Sequence, residues 1–164
     1  MSDFNSRRAT RWRDDTYVFR REGDRDTEER IAHAIDREWR VSVRSYGELA
    51  PIGHWFTNLS GRFLGLLSIT SCSYSTKRGY AVLNLRKHHR LIDAAYMYDC
   101  LVFYVCEFSD EIMQIEVRSI ESRNVTVFSN RRGQSHDDIE PCIKIEVRDM
   151  RPLKGSKYQD AWPW

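Results

Sequence analysis

The chain has little net charge, no long apolar run and no cysteine pair at the spacing of a metal or redox site. Its 26 Lys and Arg against 24 Asp and Glu leave a formal charge of +2, and its pI is near 8.4. That balance permits nucleic-acid binding without implying it, because dedicated binders carry a stronger basic excess. No stretch approaches the ~20 apolar residues of a membrane span, so no membrane partner is expected. The first residues, Met1 to Arg8, hold a charge pair with no apolar segment behind it, which predicts no secretory signal and a cytoplasmic location.

The four cysteines, Cys72, Cys100, Cys106 and Cys142, include no C-x-x-C pair and no Cys/His spacing suited to zinc. Each sits in apolar or strand-like surroundings and reads as a buried free thiol. The G-x-S-x-G elbow, the P-loop and the dinucleotide fingerprint are all missing. Ser68 and Cys72 have no identifiable His–acid partners. No cofactor and no metal site are expected.

What is present is an ordinary globular balance: 164 residues, 41% hydrophobic and 30% charged, enough to bury one core. Residues 1–26 form a charged extension. Arg7, Arg8, Arg11, Arg13, Arg20 and Arg21 alternate there with Trp12, Tyr17 and Phe19, but Asp14, Asp15, Glu22 and Asp24 offset much of the charge. A nucleic-acid-binding arm is purer in sign, so the segment reads as a polar extension.

A helix is predicted from Asp26, with Glu29 completing a capping box and Ile31, Ala34, Ile35 and Trp39 forming its apolar face. Glu28 and Glu29 then read as first-turn acids. Strands follow at Val41–Tyr46, Ile52–Leu59 and Arg62–Thr70, the last a continuous apolar run expected at the centre of a sheet. Ser71–Gly79 is a polar loop. Asn84 caps a second helix whose inner face carries Leu85, Leu91, Ile92 and Ala95. Leu101–Cys106 is a second buried strand, and Met113–Val117, Val125–Phe128 and Ile143–Val147 are further strands. The expected fold is α+β, a mixed central sheet flanked by helices. The expected domain spans 27–152, with an aromatic tail at 153–164.

The order αβββαβ, with Pro51-Ile52 before the second strand, Leu85-Arg86-Lys87 opening the second helix and Asp138-Ile139-Glu140-Pro141 before the last strand, resembles the PD-(D/E)XK nucleases. This is the restriction-endonuclease-like superfamily, and the likeness is to its small phage and bacterial members. It implies a host-cytoplasm location if the chain is viral. It also implies an Asp on the second strand and Glu-x-Lys on the third. The chain has Gly53 or His54 at the first place and Ser68-Ile69-Thr70 at the second. Mg²⁺ is a hard cation that needs charged oxygen ligands, so the resemblance implies a degenerate site at Gly53, His54, Ser68 and Thr70. Glu28, Glu29, Glu48 and His54 are the conceivable substitutes. His88 and His89 are adjacent on a helix, point about 100° apart and suit one metal poorly.

Three functions follow. The first is a catalytically inactive nuclease fold that binds DNA or RNA through Lys77, Arg78, Arg86 and Lys87, with Arg131 and Arg132 from the late loop. The second is a protein-binding modulator of host machinery, or a self-associating protein, that uses Tyr158, Trp162 and Trp164. The third is an active metal-dependent nuclease with a rearranged site.

Overall fold

The structure is a computed structural model that describes residues 22–46, 52–120, 125–129 and 139–161. Helix α1 spans Glu22–Trp39, followed by β1 (Ser42–Ser45), β2 (His54–Thr57) and β3 (Phe63–Ser71). Strand β4 (Tyr80–Asn84) leads into helix α2 (Leu85–Met97), and then come β5 (Leu101–Glu107), β6 (Ile112–Glu116), β7 (Val125–Ser129), β8 (Ile139–Glu146) and β9 (Arg151–Pro152). Short 3₁₀ turns cover Thr76–Arg78, Val117–Ser119, Val147–Asp149 and Tyr158–Ala161.

Six strands form one mixed sheet in the order β1-β2-β3-β5-β6-β9, in which only β3 and β5 run parallel. Parallel strands need a crossover, and α2 supplies it. This is the mixed sheet flanked by two helices that the sequence predicts. One element was not anticipated. β4 precedes α2 and joins β8 and β7 in a second, three-stranded antiparallel sheet.

The two faces of the large sheet bury different layers. On one face Leu67, Ile69, Phe103 and Val105 meet Ile31, Ile35 and Trp39 of α1. On the other, Leu66, Val102 and Tyr104 meet Leu91, Ala94 and Ala95 of α2 together with Ala81, Leu83, Ile143 and Ile145 of the small sheet. Period-two alternation along β3 and β5 produces this division.

Helix α1 begins at Glu22, one turn before the predicted cap, and so takes in Gly23 although glycine disfavours helix. Asp26 and Glu29 are therefore interior to the helix. Residues beyond 152 also pack on the domain. Leu153 is buried in the α1-side core, the Trp39 indole donates to Ser156 Oγ at 3.0 Å, and the Tyr158 ring meets Phe56 edge-on with centroids 5.7 Å apart.

Two positions make this packing testable. At Gly65 a Cβ would lie 2.3 Å from the Leu101 carbonyl oxygen and 2.9 Å from Phe56 Cε1, so β3 approaches β5 only without a side chain there. Gly65→Ala should cost about 3 kcal/mol or more in urea melts, at the upper end of over-packing effects. A loss under about 1 kcal/mol would contradict this close approach.

His88 lies on the inner face of α2 at 4% exposure, and neither ring nitrogen has a partner at hydrogen-bonding geometry. Burial lowers its pKa below the ordinary value, His89 lowers it further, and the Val117 backbone offsets part of the shift. A depressed folded-state pKa stabilises the fold above the ordinary imidazole value of about 6.5, and that contribution is lost as the pH falls through the lowered value. Comparing urea melts at neutral and mildly acid pH, wild type should lose more stability than His88→Leu. Equal losses would rule out His88 as the source.

Candidate functional site

The predicted site residues do not converge. His54 opens β2 at 4% exposure and pairs in register with Leu67. Cross-strand partners share a face, so His54 lies on the α1 side with Leu67 and Phe56. Ser68 and Thr70 have the opposite parity along β3 and belong with Leu66 on the α2 side. Ser68 is 2% exposed and its Oγ has no hydrogen-bond partner. Gly53 contributes backbone, its carbonyl accepting from Tyr46 N at 3.0 Å.

On the α1 side the structure does bring two polar pairs to the sheet. His54 Nε2 lies 4.0 Å from a Glu28 carboxylate oxygen, with both side chains largely buried. Glu28 is about two turns into α1, in phase with Ile31 and Ile35, so the first-turn assignment of Glu28 and Glu29 is corrected: Glu28 faces the sheet and Glu29 faces solvent. The Arg30 guanidinium donates from both terminal nitrogens to the Glu107 carboxylate, Nη2 at 2.7 Å, and Glu107 pairs in register with Ser71 at the end of β3. Glu48 lies outside the described residues.

This donor set does not fit a hard divalent cation. β3 runs Phe-Leu-Gly-Leu-Leu-Ser-Ile-Thr-Ser, with no ionisable side chain on either face. Glu107 is already neutralised by a two-pronged Arg contact. Among the described residues no group of three or more His, Cys, Asp or Glu is placed to hold a metal. His88 is buried and His89 exposed, with ring centroids 6.1 Å apart. The thiols suit a core: burial pushes Cys100 up to about 11 and Cys106 up to about 12. Cys142 is buried as well, whereas Cys72 is half-buried.

The basic candidates fall in two places. Arg86 and Lys87 occupy the first turn of α2, where the Asn84 side chain accepts from both of their backbone N–H groups. No acid occupies that turn. Lys77 and Arg78 lie in the 3₁₀ turn between β3 and β4, capped by Ser75 and by Gly79 at φ 88°.

Arg78 is sandwiched: its guanidinium carbon stands 3.8 Å from the Tyr74 ring centroid and 4.3 Å from that of Tyr80, and Nη2 donates to the Tyr80 hydroxyl at 2.9 Å. Lys144 Nζ lies 4.3 Å from the Tyr80 centroid. Sequence reasoning missed Tyr74, Tyr80 and Lys144. The alternation of Tyr80, Val82 and Asn84 against Ala81 and Leu83 was the available signal for β4, but Lys144 reaches Tyr80 only through the β4–β8 register. Arg131, Arg132, Trp162 and Trp164 lie outside the described residues. Tyr158, expected to face a partner, packs within the chain against Phe56 and Trp39.

No helix among the described residues is long and apolar enough to cross a membrane. No protein-family model matches the chain, and no curated protein matches it. Among solved structures it is similar to Hjc, a Holliday junction resolvase from the archaeal hyperthermophile Archaeoglobus fulgidus, with a TM-score of 0.49 and 7% sequence identity. The match covers 76% of this chain and 84% of that one. At this level the likeness concerns the path of the chain and carries no residue roles.

Proposed function

We propose that this chain binds nucleic acid through backbone phosphates and does not cut it. The observation that carries the reading is the pairing of an uncharged β3 with basic residues where a helix disfavours them. The N-terminal turn of a helix is the positive end of its dipole, and Arg86 and Lys87 add two further positive charges there. Such a turn attracts phosphate. Lys77 and Arg78 add positive charge just before β4. A strand with no carboxylate and no lysine removes the means of holding a metal beside a phosphate and of orienting an attacking water.

A second reading rests on one observation, the 4.0 Å approach of Glu28 to His54. A carboxylate beside a buried imidazole is an arrangement able to move protons. Hydrolysis at this pair is the rearranged-nuclease alternative, and it uses no residue of β3.

Fluorescence anisotropy of labelled oligonucleotides at two salt concentrations, with the probes run on a gel after incubation with Mn²⁺, separates these readings. Binding should weaken steeply with salt and the probes should stay intact. The Arg86→Ala/Lys87→Ala double variant should lower the slope of log affinity against log salt by about two, one for each lost phosphate contact. Cleaved probes whose appearance depends on His54 and Glu28 would overturn the first reading in favour of the second. Absence of binding at low salt would sink the first outright.

A further inference from the structure

The segment between β3 and β4 is held as a rigid platform. The Tyr74 carbonyl accepts from Ser109 N at 2.9 Å, and the Asp110 carboxylate accepts from Thr76 N at 2.8 Å and Thr76 Oγ1 at 2.5 Å. These Thr76 hydrogen bonds hold the Asp110 pKa below its ordinary value, so the anchor survives mild acid. On the other side, Val147 N donates to the Gly79 carbonyl at 2.9 Å. The turn is thus fastened to the β5–β6 connection and to the end of β8.

On this platform two cations, Arg78 and Lys144, gather around two tyrosines, and Lys77 precedes Arg78 in the turn. Among the described residues no carboxylate lies within ion-pair distance of Lys77, Arg78 or Lys144, although the Lys77 charge helps to lower the Asp110 pKa. Cation–π contacts at exposed positions stabilise a fold only modestly. They do fix a guanidinium in place before a ligand arrives, which reduces the ordering cost of binding. With its guanidinium carbon over the Tyr74 and Tyr80 rings and Nη2 donating to the Tyr80 hydroxyl, Arg78 keeps its remaining N–H groups for an anion, and donors in one plane match a phosphate. Tyr74 is 52% exposed, so its ring also offers a surface on which a base can stack.

We infer that the Tyr74–Arg78–Tyr80–Lys144 cluster is a binding site for one unpaired nucleotide of a nucleic-acid chain. The phosphate lies on the Arg78 edge between Lys77 and Lys144, and the base stacks on Tyr74. This rests on the nucleic-acid reading above and adds to it a preference for a single strand over a blunt duplex. The internal base pairs of a duplex are stacked on both faces, and only its two end pairs leave a face for Tyr74.

The test compares a short single-stranded oligonucleotide with a duplex of the same length, by anisotropy, for wild type, Tyr74→Leu and Arg78→Lys. Wild type should favour the single strand. Tyr74→Leu should lose about tenfold in single-strand affinity and little for the duplex. Arg78→Lys keeps the charge but not the fork, so its affinity should fall while its salt slope stays unchanged. Photocrosslinking of a halogenated-base oligonucleotide to wild-type protein, mapped by peptide mass spectrometry, should mark Tyr74, and this reads out the site without any variant. If wild type binds both probes and neither substitution nor the crosslink involves this cluster, the inference fails while the broader reading stands. If wild type binds neither probe, both fall together.

Discussion

Everything else in the structure is positioned by the parallel pairing of β3 with β5. Seven consecutive register pairs, from Gly65 with Leu101 to Ser71 with Glu107, hold two strands that are buried on both faces. A parallel pair cannot be closed by a hairpin, so the chain has to leave the sheet after Ser71 and return at Leu101. That excursion creates the Thr76–Arg78 turn, β4 and α2. The absent side chain at Gly65 lets the two strands close at their start. Once they are paired, alternation assigns each residue of β3 to the α1 layer or to the α2 layer, and no local adjustment moves it across.

That assignment has a chemical consequence. The His54 imidazole lies on the α1 side with Leu67 and Ile69 beside it, while the hydroxyls of Ser68 and Thr70 are on the other face. Polar groups that look neighbouring in sequence are separated by the thickness of a sheet. What remains on the α1 side is two separate pairs, Glu28 approaching His54 at 4.0 Å and Arg30 hydrogen-bonded to Glu107. Basic residues lie instead on the excursion itself, at Lys77 and Arg78 in the turn after β3 and at Arg86 and Lys87 in the first turn of α2. These four cations thus lie on the excursion, while the central strand β3 has no ionisable side chain.

The parts legible in the sequence were those with a strong period. The apolar runs of β3 and β5 and the Ile31–Ile35–Trp39 stripe of α1 announced the core, and Asn84 announced a helix cap that the structure confirms. β4 escaped because its five residues run directly into that cap, so Asn84 ends a strand and starts a helix at once. The facing of His54 relative to Ser68 was not legible, since it depends on the β2–β3 register and not on residue type. That register also shifts between Phe56 and Thr57. Glu28 was legible in principle, being three and seven residues before Ile31 and Ile35, but an early acid in a helix is ordinarily explained by the dipole. The Arg78 stack was not legible, because Lys144 comes near Tyr80 only after β8 pairs with β4.

The measurement that tests the account most directly is a titration of isotope-labelled protein with a short oligonucleotide, followed by amide chemical shifts. Shifts are expected at residues 74–80 and 84–87 that fade as salt is added, with the amides of Glu28 and His54 unmoved. Shifts centred on Glu28 and His54, or shifts indifferent to salt, would contradict it.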